Sequence, residues 1–163
     1  MIRNVLQLST PTDTTIVFSR AFNAPRRLVW DAMTRPELLR KWMFTPPGWS
    51  WAACEMDVRV GGKYRWAWNG PDGRVALTIS GVHTVVVPPE RIVHTEIMEM
   101  ADVGRVGELL ATIELTEKGG VTHMTMTLAF DSKQARDGAI ASGMQQGMEA
   151  GYSTLDAMFA QGA

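Results

Sequence analysis

The chain has 163 residues, with 16 basic against 17 acidic side chains and a single cysteine, Cys54. Charge that nearly cancels leaves no electrostatic footprint for nucleic acid, and one cysteine excludes an intramolecular disulfide or a multi-cysteine metal site. A chain of this length fits one domain with a real core; lacking a secretory leader over its first eight residues and any apolar run long enough for a bilayer, it reads as a soluble cytoplasmic protein.

Residues 1–13 read as a flexible arm, and one domain is expected over residues 14–163. Thr14 to Phe22 is rich in β-branched and aromatic residues and suits a strand. Asn23 is a candidate cap for a short helix with Pro25 in its first turn and Leu28, Val29, Ala32 and Met33 at helical spacing. Thr34-Arg35-Pro36-Glu37 has the pattern of a capping box and starts a second helix that carries Leu38, Leu39 and Trp42. Neither helix is long enough to stand alone.

The middle of the chain is strand and turn. Trp49 to Val60 is extended, Gly61-Gly62 turns, and Lys63 to Trp68 returns with Tyr64, Trp66 and Trp68 on one face. Gly70-Pro71-Asp72-Gly73 is hairpin chemistry, Val75 to Val87 runs to Pro88-Pro89, and Ile92 to Met100 pairs back. After a loop over Ala101 to Gly107, Glu108 to Glu117 and Val121 to Phe130 form a last hairpin. Successive hairpins predict an antiparallel meander. From Ser132, a plausible cap, to Ala160 the period is helical: Ile140, Met144, Met148, Tyr152, Leu155 and Phe159 form an apolar stripe. Ala139, Gly143, Gly147 and Gly151 form a small-residue stripe beside it, which points either to close backbone packing or to volume left open.

Several motifs in this order resemble the START-like (helix-grip, SRPBCC) superfamily, and within it the family named for the activator of the heat-shock protein 90 ATPase. They are Phe22-Asn23-Ala24-Pro25 with Val29-Trp30-Asp31-Ala32, Pro36-Glu37-Leu38 with Trp42, Asp57-Val58-Arg59-Val60-Gly61-Gly62-Lys63-Tyr64, Pro88-Pro89-Glu90-Arg91-Ile92-Val93 with Thr95, and Gly147-Met148-Glu149-Ala150-Gly151-Tyr152 with Leu155-Asp156. The resemblance implies an α+β helix-grip fold: two short helices after the first strand, a curved antiparallel sheet, and a long C-terminal helix enclosing a cavity. Fold does not fix function; relatives in the superfamily include lipid carriers, hormone receptors, aromatases, cyclases and co-chaperones.

Among the titratable residues, His94 and Glu96 lie two apart on one strand face and are the only acid–base candidates. Two readings of them stay open: a cavity-lining pair in which the carboxylate favours a charged imidazole, or a solvated face. Three scattered histidines give no metal ligand set, no phosphate loop occurs, and no cofactor is expected. Cys54 reads as a structural thiol, and Glu149 and Asp156, off the apolar stripe, as solvated. The ligand-facing set is expected to be Trp42, Tyr64, Trp66, Trp68, His94, Glu96, Met126, Leu128, Met144, Met148 and Tyr152, since pliable methionines and aromatics with polar handles suit an apolar pocket. The expected partner is thus a small, largely apolar or aromatic molecule in a central cavity. The alternatives are a cyclase, aromatase or hydratase acting on such a ligand, and a co-chaperone-like module that binds protein; homodimer formation stays open.

Overall fold

The computed structural model describes residues 3–162. Eight strands form one antiparallel sheet: β1 (Gln7–Ser9), β2 (Thr15–Phe22), β3 (Ser50–Met56), β4 (Lys63–Asn69), β5 (Val75–Val87), β6 (Arg91–Met100), β7 (Gly104–Lys118) and β8 (Val121–Phe130). Their order across the sheet is β1-β2-β8-β7-β6-β5-β4-β3, so β3 to β8 are the expected meander and β2 returns to pair with the last strand. Helices α1 (Arg26–Thr34) and α2 (Pro36–Trp42) follow β2, and α3 (Lys133–Ala141) and α4 (Met144–Ala160) close the chain. This is the α+β helix-grip architecture.

Strand alternation puts Ile16, Phe18, Arg20 and Phe22 on the concave side of β2, all buried. Arginine in that series needs compensation, because burying an unpaired charge is costly. The Arg20 side chain is 1% exposed and is gripped by two carboxylates of α4: Nε donates to Glu149 Oε1 at 2.8 Å and Nη2 to Asp156 Oδ2 at 2.8 Å. Burial opposes the guanidinium charge, yet these hydrogen bonds outweigh it and raise its pKa, while Arg20 holds the Glu149 carboxyl below the usual range. Glu149 and Asp156, expected to be solvated, are instead the clasp between α4 and the sheet. Their apolar neighbours complete the grip: Tyr152 meets Phe22 edge-on at 5.4 Å and stacks on Trp42 at 5.4 Å.

Three local expectations are corrected. The single terminal helix is two, because Gly143 adopts φ +83° and turns the chain between α3 and α4. No side chain caps α1 or α2; Pro25 and Arg35 occupy their N-cap positions, and the Thr34 hydroxyl donates back to Trp30 O instead. Ser132 does cap α3, accepting from the Ala135 N–H at 3.0 Å. Finally, part of the expected arm is ordered into the sheet. Residues 1 and 2 lie outside the described residues, as does residue 163, but β1 pairs with β2 and Leu6 is buried. Leu6 N–H donates to Glu149 Oε1 at 2.9 Å, which ties this segment to the same clasp.

The small-residue stripe serves close packing at Gly151 only. A Cβ on Gly151 would sit 3.1 Å from Trp42 O and 3.2 Å from Phe44 N, whereas one on Gly147 would meet only the Phe44 ring at 3.6 Å. Gly147→Ala is therefore expected to stabilise the protein by up to about 1 kcal/mol through helix propensity. Gly151→Ala is expected to destabilise it, since rigid backbone must move; urea unfolding midpoints of the two variants check the opposite signs.

Candidate functional site

Directly opposed residues of antiparallel strands share a face, so the register lays out the concave surface in rows. One row runs Ile16, Leu128, Ala111, His94, His83. The next runs Phe130, Leu109, Glu96, then Gly81 beside Tyr64 and Met56, with Gly81 falling across from Glu96 between the pairs Ser80–Ile97 and His83–His94. Two further rows run Gly107, Met98, Ile79, Trp66, Cys54 and Gly104, Met100, Leu77, Trp68, Trp51. The face of β6 that carries His94 and Glu96 is thus the concave one.

Glycine fixes the geometry at two points. A Cβ on Gly62 would lie 2.0 Å from Asp57 O, so only glycine closes that turn, and Gly62 O accepts from both His83 N (2.9 Å) and His83 Nδ1 (3.2 Å). A Cβ on Gly81 would lie 1.8 Å from Thr95 O and 2.9 Å from Tyr64 Cε1. The missing side chain lets the Tyr64 ring lie over β5 and donate its hydroxyl proton to Thr95 O at 2.7 Å. With that proton committed, the Tyr64 oxygen accepts from His94 Nδ1 at 3.0 Å, and Thr95 O lies 3.2 Å from the same nitrogen. Carbonyl and hydroxyl acceptors thus assign Nδ1–H to both imidazoles and leave both Nε2 atoms as lone pairs.

Tyr64, Trp66, His83 and His94 pack ring against ring, 4.9 to 6.0 Å between centroids, around a cavity of about 40 Å³ closed below by Trp30 and Ile92. That volume suits one or a few waters rather than a drug-sized molecule. Beyond Glu96 the concave face is less well covered: Trp66, Met98, Leu109 and Phe130 on the sheet, and Met144 and Met148 on α4, are all half-buried, and nothing lies within 4 Å of where a Gly107 Cβ would sit. These rows leave large apolar side chains partly exposed. A separate, open groove of about 630 Å³ runs between Arg40–Thr45, Trp49–Trp51 and α4.

Electrostatics differ from the expectation of a charged imidazole beside a carboxylate. Burial lowers His94 from 6.5 to about 4, and no ion pair joins it to Glu96 among the described residues. Glu96 has no hydrogen-bond partner among the described residues, and desolvation alone raises its carboxyl from 4.5 to about 7. Burial, with Glu96 adding to it, raises Tyr64, and burial likewise raises Cys54, whose Sγ faces Pro36 O at 3.8 Å; both stay protonated. The indole N–H groups of Trp51, Trp66 and Trp68 are sealed from solvent without a partner.

Of the residues expected to face a ligand, Trp66, Glu96, Met126, Met144 and Met148 are half-buried and Tyr64, Trp68 and His94 form the wall behind them. Trp42, Leu128 and Tyr152 are spent in the core: Trp42 donates its indole N–H to Ala32 O at 2.9 Å and stacks on Tyr152, and Leu128 lies between Ile16 and Ala111. The same face also carries His83, Trp51, Met98, Leu109 and Phe130, which the expected ligand-facing set does not include. Met98 shares parity with Glu96, and His83 with Leu77, Ile79 and Gly81, both usable signals; the bulge between His83 and Val85 switches the face of β5 only beyond that point.

The grip of a curved antiparallel sheet by a terminal helix defines a helix-grip protein. The chain matches the model of the Activator of Hsp90 ATPase homolog 1-like protein family over residues 23–160 and belongs to that family. It is similar to a structure from Rhodobacter sphaeroides, with 34% identity, a TM-score of 0.87 and coverage of 96% of this chain and 99% of that one. A protein from Nitrosomonas europaea shares 25% identity over 93% of this chain and 97% of its own, with a TM-score of 0.78. The fold recurs in the Ms6760 protein of Mycobacterium smegmatis, at 23% identity and a TM-score of 0.80 over 96% and 98% of the two chains. Among curated proteins, none matches the chain.

The two perturbed groups give stability opposite pH dependences. Glu96 keeps its proton in the folded state where the unfolded chain has lost it, so its contribution falls as pH rises from about 4.5 to about 7. The contribution of neutral His94 is full above pH 6.5 and is lost as pH falls toward about 4. Between these limits the slopes oppose each other. Glu96→Gln is expected to leave stability rising with pH across that window, and His94→Phe to leave it falling, each by up to about 1.4 kcal/mol per pH unit. Urea unfolding at several pH values reads both signs.

Proposed function

We propose that this protein binds a small, largely apolar or aromatic molecule in the crevice between the concave face and α4. The observation that carries the reading is the pair of rows whose large apolar side chains stay half-buried, Trp66 and Met98 in one and Leu109 and Phe130 in the other, together with the half-buried Met144 and Met148 of α4. Apolar surface held in a concavity and lined by pliable methionines is what such a ligand needs. The cavity between His83 and His94 is too small for the ligand's body and suits water or one polar substituent. Membership in the family supports ligand binding and protein binding alike; the open groove beside Trp49 and Trp51 is the surface a protein partner of co-chaperone type would use.

One observation favours an enzymatic second reading. Glu96, with a carboxyl near 7, is suited to give or take a proton at neutral pH, whereas His94 is too weak a base for that role. A cyclase, aromatase or hydratase reading therefore rests on Glu96.

Titration with the neutral dye Nile red tests the crevice. Saturable one-to-one binding with a blue-shifted emission is expected. Gly107→Leu, placed where nothing lies within 4 Å, is expected to fold normally and weaken the dye by roughly tenfold, the effect of occupying part of an apolar pocket. Absence of saturable binding, or dye binding unchanged in both Gly107→Leu and Trp66→Ala, overturns the reading.

A further inference from the structure

Among the described residues, the hydroxyl and imidazole protons beside Glu96 are already committed. The Tyr64 hydroxyl gives its proton to Thr95 O, His94 Nδ1–H is taken by Tyr64 and Thr95, and His83 Nδ1–H is taken by Gly62 O. The unpartnered indole donors are sealed from solvent, whereas the Glu96 oxygens, equally unpartnered, are not among the sealed atoms. What the wall offers to an occupant is therefore acceptors only: the Glu96 carboxylate and two imidazole lone pairs. Among the described residues no cation pairs with that carboxylate. Across β7 and β8 its row supplies Leu109 and Phe130, across β5 it meets Gly81, and on β4 it meets Tyr64; its own strand gives His94 and Met98.

We propose, resting on the crevice reading above, that the ligand is an amphipathic organic cation, with a primary or secondary ammonium seated on Glu96 and its apolar body along Tyr64, Trp66 and Met98. An ammonium supplies both the charge and the N–H donors this surface lacks, and aromatic faces beside it add cation–π attraction. An alcohol would satisfy one acceptor and leave the charge unanswered. Once Glu96 is ionised, a carboxylate would meet acceptors only, so the probes are compared above neutral pH. Desolvation of the Glu96 carboxyl, which holds it near 7, is the state a bound cation would reverse, so binding is expected to release a proton below neutral pH.

Calorimetry with phenethylamine, phenethyl alcohol and phenylacetate separates the cases, because the three share one apolar body. The amine is expected to bind about tenfold or more tighter than the alcohol, with the carboxylate weakest, since a charged hydrogen bond is at stake. Glu96→Gln is expected to remove that preference and leave the alcohol unchanged; Glu96→Leu, which replaces the unpaired carboxyl with an apolar group, gives the same comparison should the first variant fold poorly. Alcohol and amine of equal affinity, or an amine preference that survives both substitutions, overturns the cation and leaves the apolar crevice standing. Failure of all three probes, together with failure of Nile red, overturns both.

Discussion

The buried guanidinium of Arg20 is the constraint from which the rest of the architecture follows. It sits on β2 between Phe18 and Phe22, where strand alternation must point it inward, and only the two α4 carboxylates keep its charge tolerable. Glu149 and Asp156 are two helical turns apart, so a single side chain fixes both the position and the rotation of α4. Leu6 N–H shares the Glu149 carboxylate and the Gln145 amide donates to Leu6 O, so the first strand is held by the same knot. Tyr152 and Leu155, between the two carboxylates, are thereby pressed into the core.

The anchors of α4 lie toward the β1–β2 edge and α2. Gln145 and Glu149 hold Leu6 and Arg20, Tyr152 meets Phe22 and Trp42, and Asp156 holds Arg20, whereas Met144 and Met148 stay half-buried. The sheet is correspondingly well covered at the row of Ile16, Leu128 and Ala111 and poorly covered at the rows of Leu109, Met98 and Met100. The proposed crevice lies over these poorly covered rows. Its polar equipment comes from the opposite side, where Gly62 and Gly81 let β3–β5 approach closely enough to orient His83, Tyr64 and His94 through backbone carbonyls.

Much of this was legible before the coordinates. Hairpin chemistry at Gly70-Pro71-Asp72-Gly73 and around Gly119-Gly120, with alternation between them, specified the meander, because turn residues and period-two patterns act locally. The partnership of Arg20 with Glu149 and Asp156 was within reach as well: alternation puts Arg20 inward, and a buried arginine requires acids. It was lost by judging the acids on the helix alone. The facing of His94 and Glu96 was not legible, because both sides of β6 carry apolar residues and only pairing with Ala111 and Leu109 decides between them. Nor was the break at Gly143, since a glycine within helical periodicity reads as a cost rather than as an elbow.

The strand order has a bearing on how the chain is made. Strands β3 to β8 find their partners as each successive hairpin emerges, but β2 must wait for β8, whose partner residues Leu128 and Met126 lie more than a hundred positions downstream of Ile16 and Phe18. Closing so long a loop before any contact rewards it is slow. During synthesis the apolar face of β2 and the guanidinium meant for α4 are therefore both without partners until the final helix leaves the ribosome. β2 is thus made early and paired late, and it is the segment a nascent chain most needs to have shielded.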